Sequence, residues 1–284
     1  MLVAIQINDQ EIKVGTWENN KLTLSSSFPT PTTLEEFNTL ITLAVNDIKK
    51  SSTISGIALS IPGIIDYQTG TITGGSGISY LENTTLVNNF KKEFDVPVTL
   101  SSDSDSAALG LIKSEKEPIT SSIILSIEHI ISGSFIINNQ LWQGAHKVAG
   151  EVGELLINDT PWSKIGAPDV MAEQYNKLTG KDFDANTVFD LGNTSDPQAN
   201  EVVKKFFHIL AEGIFNLQHT LDPARIYFTG AITKHPELLP LLEDELTTLK
   251  HTYHFTHSPI LDLSTLNDEA ILRGSIAYFE AKNN

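Results

Sequence analysis

The groups best able to do chemistry fall in a few short segments. In VPVTLSSDSDSAALG, Asp103 stands where an extended run gives way to a helical pattern. A carboxylate there either caps the helix or points into a site. In AGEVGELL, Glu151 lies between Gly150 and Gly153 and is followed by Glu154; each is a solvated loop acid or a ligand-binding group. Were both glutamates to converge with Asp103, the carboxylates would raise one another's pKa or hold a cation. In HTYHFTH, the spacing of His251, His254 and His257 would suit metal ligation from one helix face. The Thr, Tyr and Phe between them and Pro259 after them instead mark a frayed helix end and a strand start, so these histidines are read as a surface cluster.

A further segment, VAIQINDQEIKVG at residues 3–15, raises the question of phosphate. Val3, Ile5 and Ile7, then Ile12 and Val14, alternate as in two half-buried strands, and Asn8-Asp9 between them favours a tight turn. A backbone N–H reaches a phosphate oxygen closely only where no Cβ intervenes. No glycine precedes Gly15, and the local residues read as an ordinary edge hairpin.

The elements that would position these groups follow from pattern. A third strand lies near 21–27. TPTTLEEFNTLITLAVNDIKK has a Thr cap, an acidic first turn and helical apolar spacing, which predicts a helix of about four turns. SGIALSIPG reads as a buried strand, TGTITGGSGISYLEN as a glycine-rich loop region, and residues 83–94 as a short helix leading to a strand over 96–100. A second set repeats the theme: strands at 121–127, 132–138 and 141–142, the AGEVGELL loop, helices near 168–179 and 198–220, the strand ARIYF and the turn TGAIT. Helix, short strand and the helix DEAILRGSIAYFEA complete it. Two related α/β domains with a cleft between them are expected. Trp142 and Trp162 are read as packing residues.

Composition narrows the function classes. The chain has 284 residues, 40% of them hydrophobic, and so can bury a core. Its formal charge of −16 would repel a polyanion, so no nucleic-acid partner is expected. The absence of cysteine excludes disulfides, thiolate metal sites and cysteine nucleophiles. The apolar stretch SIILSIEHIISGSFII is broken by Glu128, His129 and Gly133, and reads as two strands rather than a membrane span. With no signal peptide visible, a cytoplasmic location and no membrane partner are expected.

In order and spacing, LSIPGIIDYQTGTITG, VPVTLSSDSDSAALG, LWQGAHKVAGEVGELL and LDPARIYFTGAITKHPELL resemble the ROK family of sugar kinases and repressors, within the actin and hexokinase superfamily. The nearest likeness is to its fructokinase-like and β-glucoside-kinase-like branch, which lacks the zinc motif. The resemblance implies an α/β fold of two actin-like (ribonuclease H-like) domains. Residues 1–116 would form the first, with the C-terminal helix 267–284 a candidate to complete it, and residues 117–266 the second. It also implies a homodimer, no zinc, and phosphoryl transfer from ATP to a sugar hydroxyl.

The resemblance can be carried over loop by loop. The family's first phosphate loop, Asp-any-Gly-Gly-Thr, falls on Gln6, Ile7, Asn8, Asp9 and Gln10. The magnesium-organising acid has become an amide and both glycines are gone. The second loop falls on Glu128 to Ser134, keeping Gly133 alone of its glycines, and the third, which lies by the nucleotide in relatives, on Thr229, Gly230 and Ala231. The sugar side is better kept. The family's Asn-Asp-Ala-Asn is Ser102, Asp103, Ser104 and Asp105, retaining the aspartate that in relatives deprotonates the acceptor hydroxyl. Glu151 keeps the sugar-binding glutamate, Glu154 replaces a His or Tyr, and the loop TITGGSGISY, with Gly75, could lie over them. The resulting expectation is a sugar-kinase-like pseudokinase that binds a sugar or glycoside, or acts in regulation, with no cofactor. The alternative is an active ATP- and magnesium-dependent hexose or β-glucoside kinase using Asp103 as general base. Repression is disfavoured because the chain opens on its first strand, with no room for a helix-turn-helix.

Overall fold

A computed structural model describes residues 1–263 and 268–283 of the chain. They form two compact units, one of residues 1–118 and 144–147 with the C-terminal helix, the other of residues 119–143 and 148–263. The expected limits of that helix, residues 267 and 284, and the expected end of the second domain at 266 lie outside the described residues.

In the first unit, strands β1 (Leu2–Ile7), β2 (Glu11–Glu18) and β3 (Lys21–Pro29) form an antiparallel meander. Helix α1 (Leu34–Ser51) follows, then β4 (Gly56–Ile61), a small hairpin of β5 (Ile64–Asp66) and β6 (Thr71–Gly74), α2 (Leu86–Phe94), β7 (Val98–Ser102) and α3 (Asp103–Ser114). The sheet order is β3-β2-β1-β4-β7, with β4 parallel to both neighbours. β1 is therefore central, and all its residues are buried, which corrects the edge-hairpin reading. Alternation failed as a guide there because Leu2, Ala4 and Gln6 fill the second face, and a strand covered on both faces need not alternate.

Helix α1 starts where Thr33 Oγ1 accepts from the Glu36 N–H and bonds the Glu36 carboxylate, and it buries Phe37, Ile41, Ala44 and Val45 against the sheet. The segment read as a glycine-rich loop contains β5 and β6. Only Ile65 and Ile72 of the hairpin are buried hydrophobics, too few to show a period of two. The carboxylate of Asp66 accepts from the Gln68 and Thr69 N–H groups and forms its turn.

The second unit repeats the plan. β8 (Ser121–Ile127), β9 (Ile131–Ile137) and β10 (Gln140–Trp142) form the meander, β11 (Leu156–Ile157) and β12 (Thr160–Pro161) a two-stranded piece, and α4 (Trp162–Gly166), α5 (Pro168–Thr179), α6 (Ala185–Gly192) and α7 (Pro197–Leu221) the helices. β13 (Arg225–Thr229), α8 (Leu238–Tyr253) and β14 (Ile260–Leu263) complete it, in the sheet order β10-β9-β8-β13-β14. The short α4 and α6 have no counterpart in the sequence reading. Trp162 is fully buried against Gly213 of α7, where any Cβ would meet the indole. Trp142, by contrast, is 47% exposed and stacks on Phe135 at the sheet edge. β14 begins only at Ile260, and His251, His254 and His257 are exposed.

The chain returns to the first unit in α9 (Asp268–Asn283). Leu272, Ile276 and Phe279 cover Leu2, Ala4 and Ala58 on the face of the first sheet opposite α1. α9 also crosses α3 closely. The Gly274 backbone lies against the Ser106 carbonyl, and Gly110 of α3 against the Ala270 carbonyl, so a Cβ at either glycine would overlap a carbonyl group. Both units are thus a five-stranded mixed sheet with helices, and the fold class is α/β with two actin-like domains.

Candidate functional site

At the junction of β7 and α3 the helix is capped by Ser102, whose Oγ accepts from the Asp105 N–H at 3.1 Å. Asp103 stands at the first helical position, and Ser60 near the end of β4 donates a hydrogen bond to its Oδ1. Ser60 lies 3.1 Å from Ser106 Oγ, which is 2.8 Å from Ser101 Oγ. A buried hydroxyl network therefore fixes the Asp103 carboxylate from behind.

Tyr67, just past β5, closes the other side. Its hydroxyl donates to Asp105 at 2.6 Å and accepts from the Ser102 N–H at 3.2 Å. Burial first, then the Asp105 carboxylate and the hydrogen bond to it, hold the phenol well above its ordinary pKa, so it remains a donor. Gly75, with φ of 70°, packs beside Gly63 beyond the end of β4.

The β1–β2 turn belongs to the same unit. Asn8 Oδ1 accepts from the Gln10 N–H at 2.9 Å and the Glu11 N–H at 2.7 Å, and the Asn8 N–H donates to the Glu11 carbonyl at 3.1 Å. This Asx turn satisfies both backbone donors internally. Gln6 is 3% exposed, and its Oε1 has no partner among the described residues. It offers a neutral, solvent-shielded oxygen.

In the second unit, Glu151 and Glu154 begin and end one 3₁₀ turn, with Glu154 exposed. Glycines seat that turn on β9. The Gly133 N–H donates to the Gly150 carbonyl at 2.8 Å, Gly150 has φ of 105°, and a Cβ at Gly153 would overlap the Ile131 carbonyl and Ser163 Oγ. Gly133 sits mid-strand, opposite Leu125, rather than in the turn. The turn itself holds Glu128, His129 and Ile130, and His129 Nδ1 pairs with Asp169 at 2.7 Å. Gly230, with φ of 95°, follows β13 so closely behind this turn that a Cβ there would lie 2.8 Å from Glu128 Cγ. Glu128 and Gly230 are thus brought together.

A model of the ROK family matches residues 2–282. The chain belongs to the ROK family. Over 241 residues it is 28% identical to a beta-glucoside kinase of Klebsiella pneumoniae, spanning 79% of this chain and 77% of that one. Among solved structures, a ROK family protein from Streptococcus pneumoniae TIGR4 in complex with sucrose matches with a TM-score of 0.82 at 22% identity, over 99% of this chain and 98% of that one. The ROK hexokinase from Thermus thermophilus matches with a TM-score of 0.82 at 20% identity, over 100% and 99%. These structural likenesses speak for the fold.

In the β1–β2 turn Asn8 holds two backbone N–H groups and Gln6 is buried, while the Glu128 stem packs beside Gly230. Among the described residues no group of three or more His, Asp or Glu could hold a metal ion, and no helix is long and apolar enough to cross a membrane. Sequence reasoning missed Ser60, Tyr67 and Ser106. Tyr67 follows Asp66 in a polar turn, and only long-range pairing shows that its hydroxyl reaches the Asp103 helix.

Proposed function

We propose that this ROK sugar-kinase-like chain is a pseudokinase that binds a sugar or glycoside and does not grip Mg-ATP. The observation that carries the reading is the Asn8 turn, whose side chain holds the Gln10 and Glu11 N–H groups. Sugar contact is assigned to Ser102, Asp103 and Gly75 and, from the second unit, to Glu151 and Glu154. Hydroxyl recognition needs acceptors held in place, and the Ser60–Ser106–Ser101 network supplies that support for Asp103. A beta-glucoside kinase relative and a sucrose-bound neighbour favour glycosides as the first ligands to try. Location in the cytoplasm and assembly as a homodimer are part of the same proposal.

A thermal-shift panel of hexoses, β-glucosides and disaccharides tests it without nucleotide. A ligand at one hundred times its Kd adds about 2.7 kcal/mol, or a rise of roughly 5–10 °C for a chain of this size. The rise is expected to vanish in Asp103→Ala and in Glu151→Ala. No shift from any saturating sugar, or a shift both substitutions leave intact, would make the retained acids structural.

A second reading, an active ATP-dependent sugar kinase, draws on one observation. Ser102 rather than Asp103 caps the helix, and the Asp103 carboxylate would serve as general base.

A further inference from the structure

Between α2, β7 and α9 the first unit holds a cavity of about 290 Å³ with an unusual charge lining. Lys91, Lys147 and Lys282 all line it, and among the described residues no Asp or Glu does. In a chain of net charge −16, lysines gathered in one concavity would be expected to find carboxylates. Among the described residues these have none within ion-pair distance: Lys147 lies over the ring of Tyr67 at 5.7 Å and Lys282 over that of Tyr278 at 5.3 Å. The tyrosine rings pack on each other at 5.8 Å. Thus two ammonium groups are carried side by side on an aromatic pair, each held by a ring face rather than by an anion. Burial, followed by the proximity of Lys147, lowers the Lys282 pKa, as expected of neighbouring cations awaiting a counter-charge. Thr99 Oγ1, from another lining residue, is buried with no hydrogen-bond partner among the described residues. Asn88 and Gln68 add amide groups to the wall.

We propose that this cavity binds the phosphate group of a small organic phosphate, with a phosphorylated sugar as the fitting class. A phosphate monoester carries close to two negative charges at neutral pH and several acceptor oxygens, which matches paired ammonium groups and a hydroxyl donor. The amides suit a polyhydroxy remainder, and the volume is at the small end of ligand pockets. The position gives binding a route to the site. Lys147 rests on Tyr67, whose hydroxyl holds both Ser102 and Asp105 at the start of the helix that carries Asp103.

The test is calorimetric titration of the full chain with glucose 6-phosphate, inorganic phosphate and glucose, in the wild type, in Lys147→Gln/Lys282→Gln, in Lys116→Gln outside the cavity, and in Asp103→Ala. Glucose 6-phosphate is expected to bind with a Kd below about 1 mM. The double variant should weaken this at least about tenfold, while Lys116→Gln and Asp103→Ala leave it within about twofold. Inorganic phosphate binding as tightly, with the same loss in the double variant, would assign the cavity to free phosphate and support the anion chemistry. No saturable binding of either phosphate, loss shared equally by Lys116→Gln, or binding that the double variant retains would overturn the proposal. Far-ultraviolet circular dichroism and the melting temperature of the double variant verify that any loss is not unfolding, since these lysines make no ion pair among the described residues.

Discussion

Titration with Mg-ATP is expected to give no isotherm tighter than about 1 mM, a binding free energy near −4 kcal/mol. The reasons are additive in kind. Asn8 Oδ1 already holds the Gln10 and Glu11 N–H groups, so a phosphate oxygen would have to displace existing hydrogen bonds. Gln6 is neutral and buried. A unit negative charge 4–5 Å from a phosphate charge, at an effective dielectric near 20, opposes it by roughly 3–4 kcal/mol. Asp9 or Glu128 at such a distance would therefore lower affinity by two to three orders of magnitude. A micromolar isotherm would require the turn to rearrange and would promote the kinase reading.

The second large effect is structural and reaches the same site. Gly274→Val places side-chain atoms where the Ser106 carbonyl stands, so α9 and α3 must separate. Overpacking of this kind costs about 1–3 kcal/mol and sometimes more. A backbone carbonyl cannot swing aside as a side-chain end can, so the upper part of that range is expected, with a fall in melting temperature of roughly 6–12 °C. Ser106 belongs to the hydroxyl network behind Asp103. The stabilisation by sugar should therefore shrink in the same variant. Gly180→Ala is the control: its Cβ meets nothing within 4 Å, so only its positive φ is strained and a cost near 1 kcal/mol is expected. Equal melting temperatures for wild type and Gly274→Val would show that α9 does not lean on α3 as described.

Much of this was legible in the sequence, for physical reasons that differ by segment. Asp103 stood out because a strand ending in Ser and Asp before a helical pattern has few local explanations, and the cap that competes with a site role turned out to be Ser102. The meanders were legible from alternation and turns. The central place of β1 was not, since burial on both faces erases alternation. The β5–β6 hairpin was hidden by glycines and threonines that carry little hydrophobic signal. Tyr67 and Ser60 were invisible because their partners lie 38 and 43 residues away, and no local pattern reports such a pairing. What only the structure supplied was that Asn8 closes an Asx turn on the Gln10 and Glu11 N–H groups.

The most direct test of the central claim is sugar-dependent ADP release at saturating Mg-ATP, measured side by side for wild type and Asp103→Asn with each sugar that raises the melting temperature. No release above the sugar-free background is predicted for either protein. Release by the wild type that falls a hundredfold or more in Asp103→Asn, the scale of a lost general base, would contradict it and establish an active kinase.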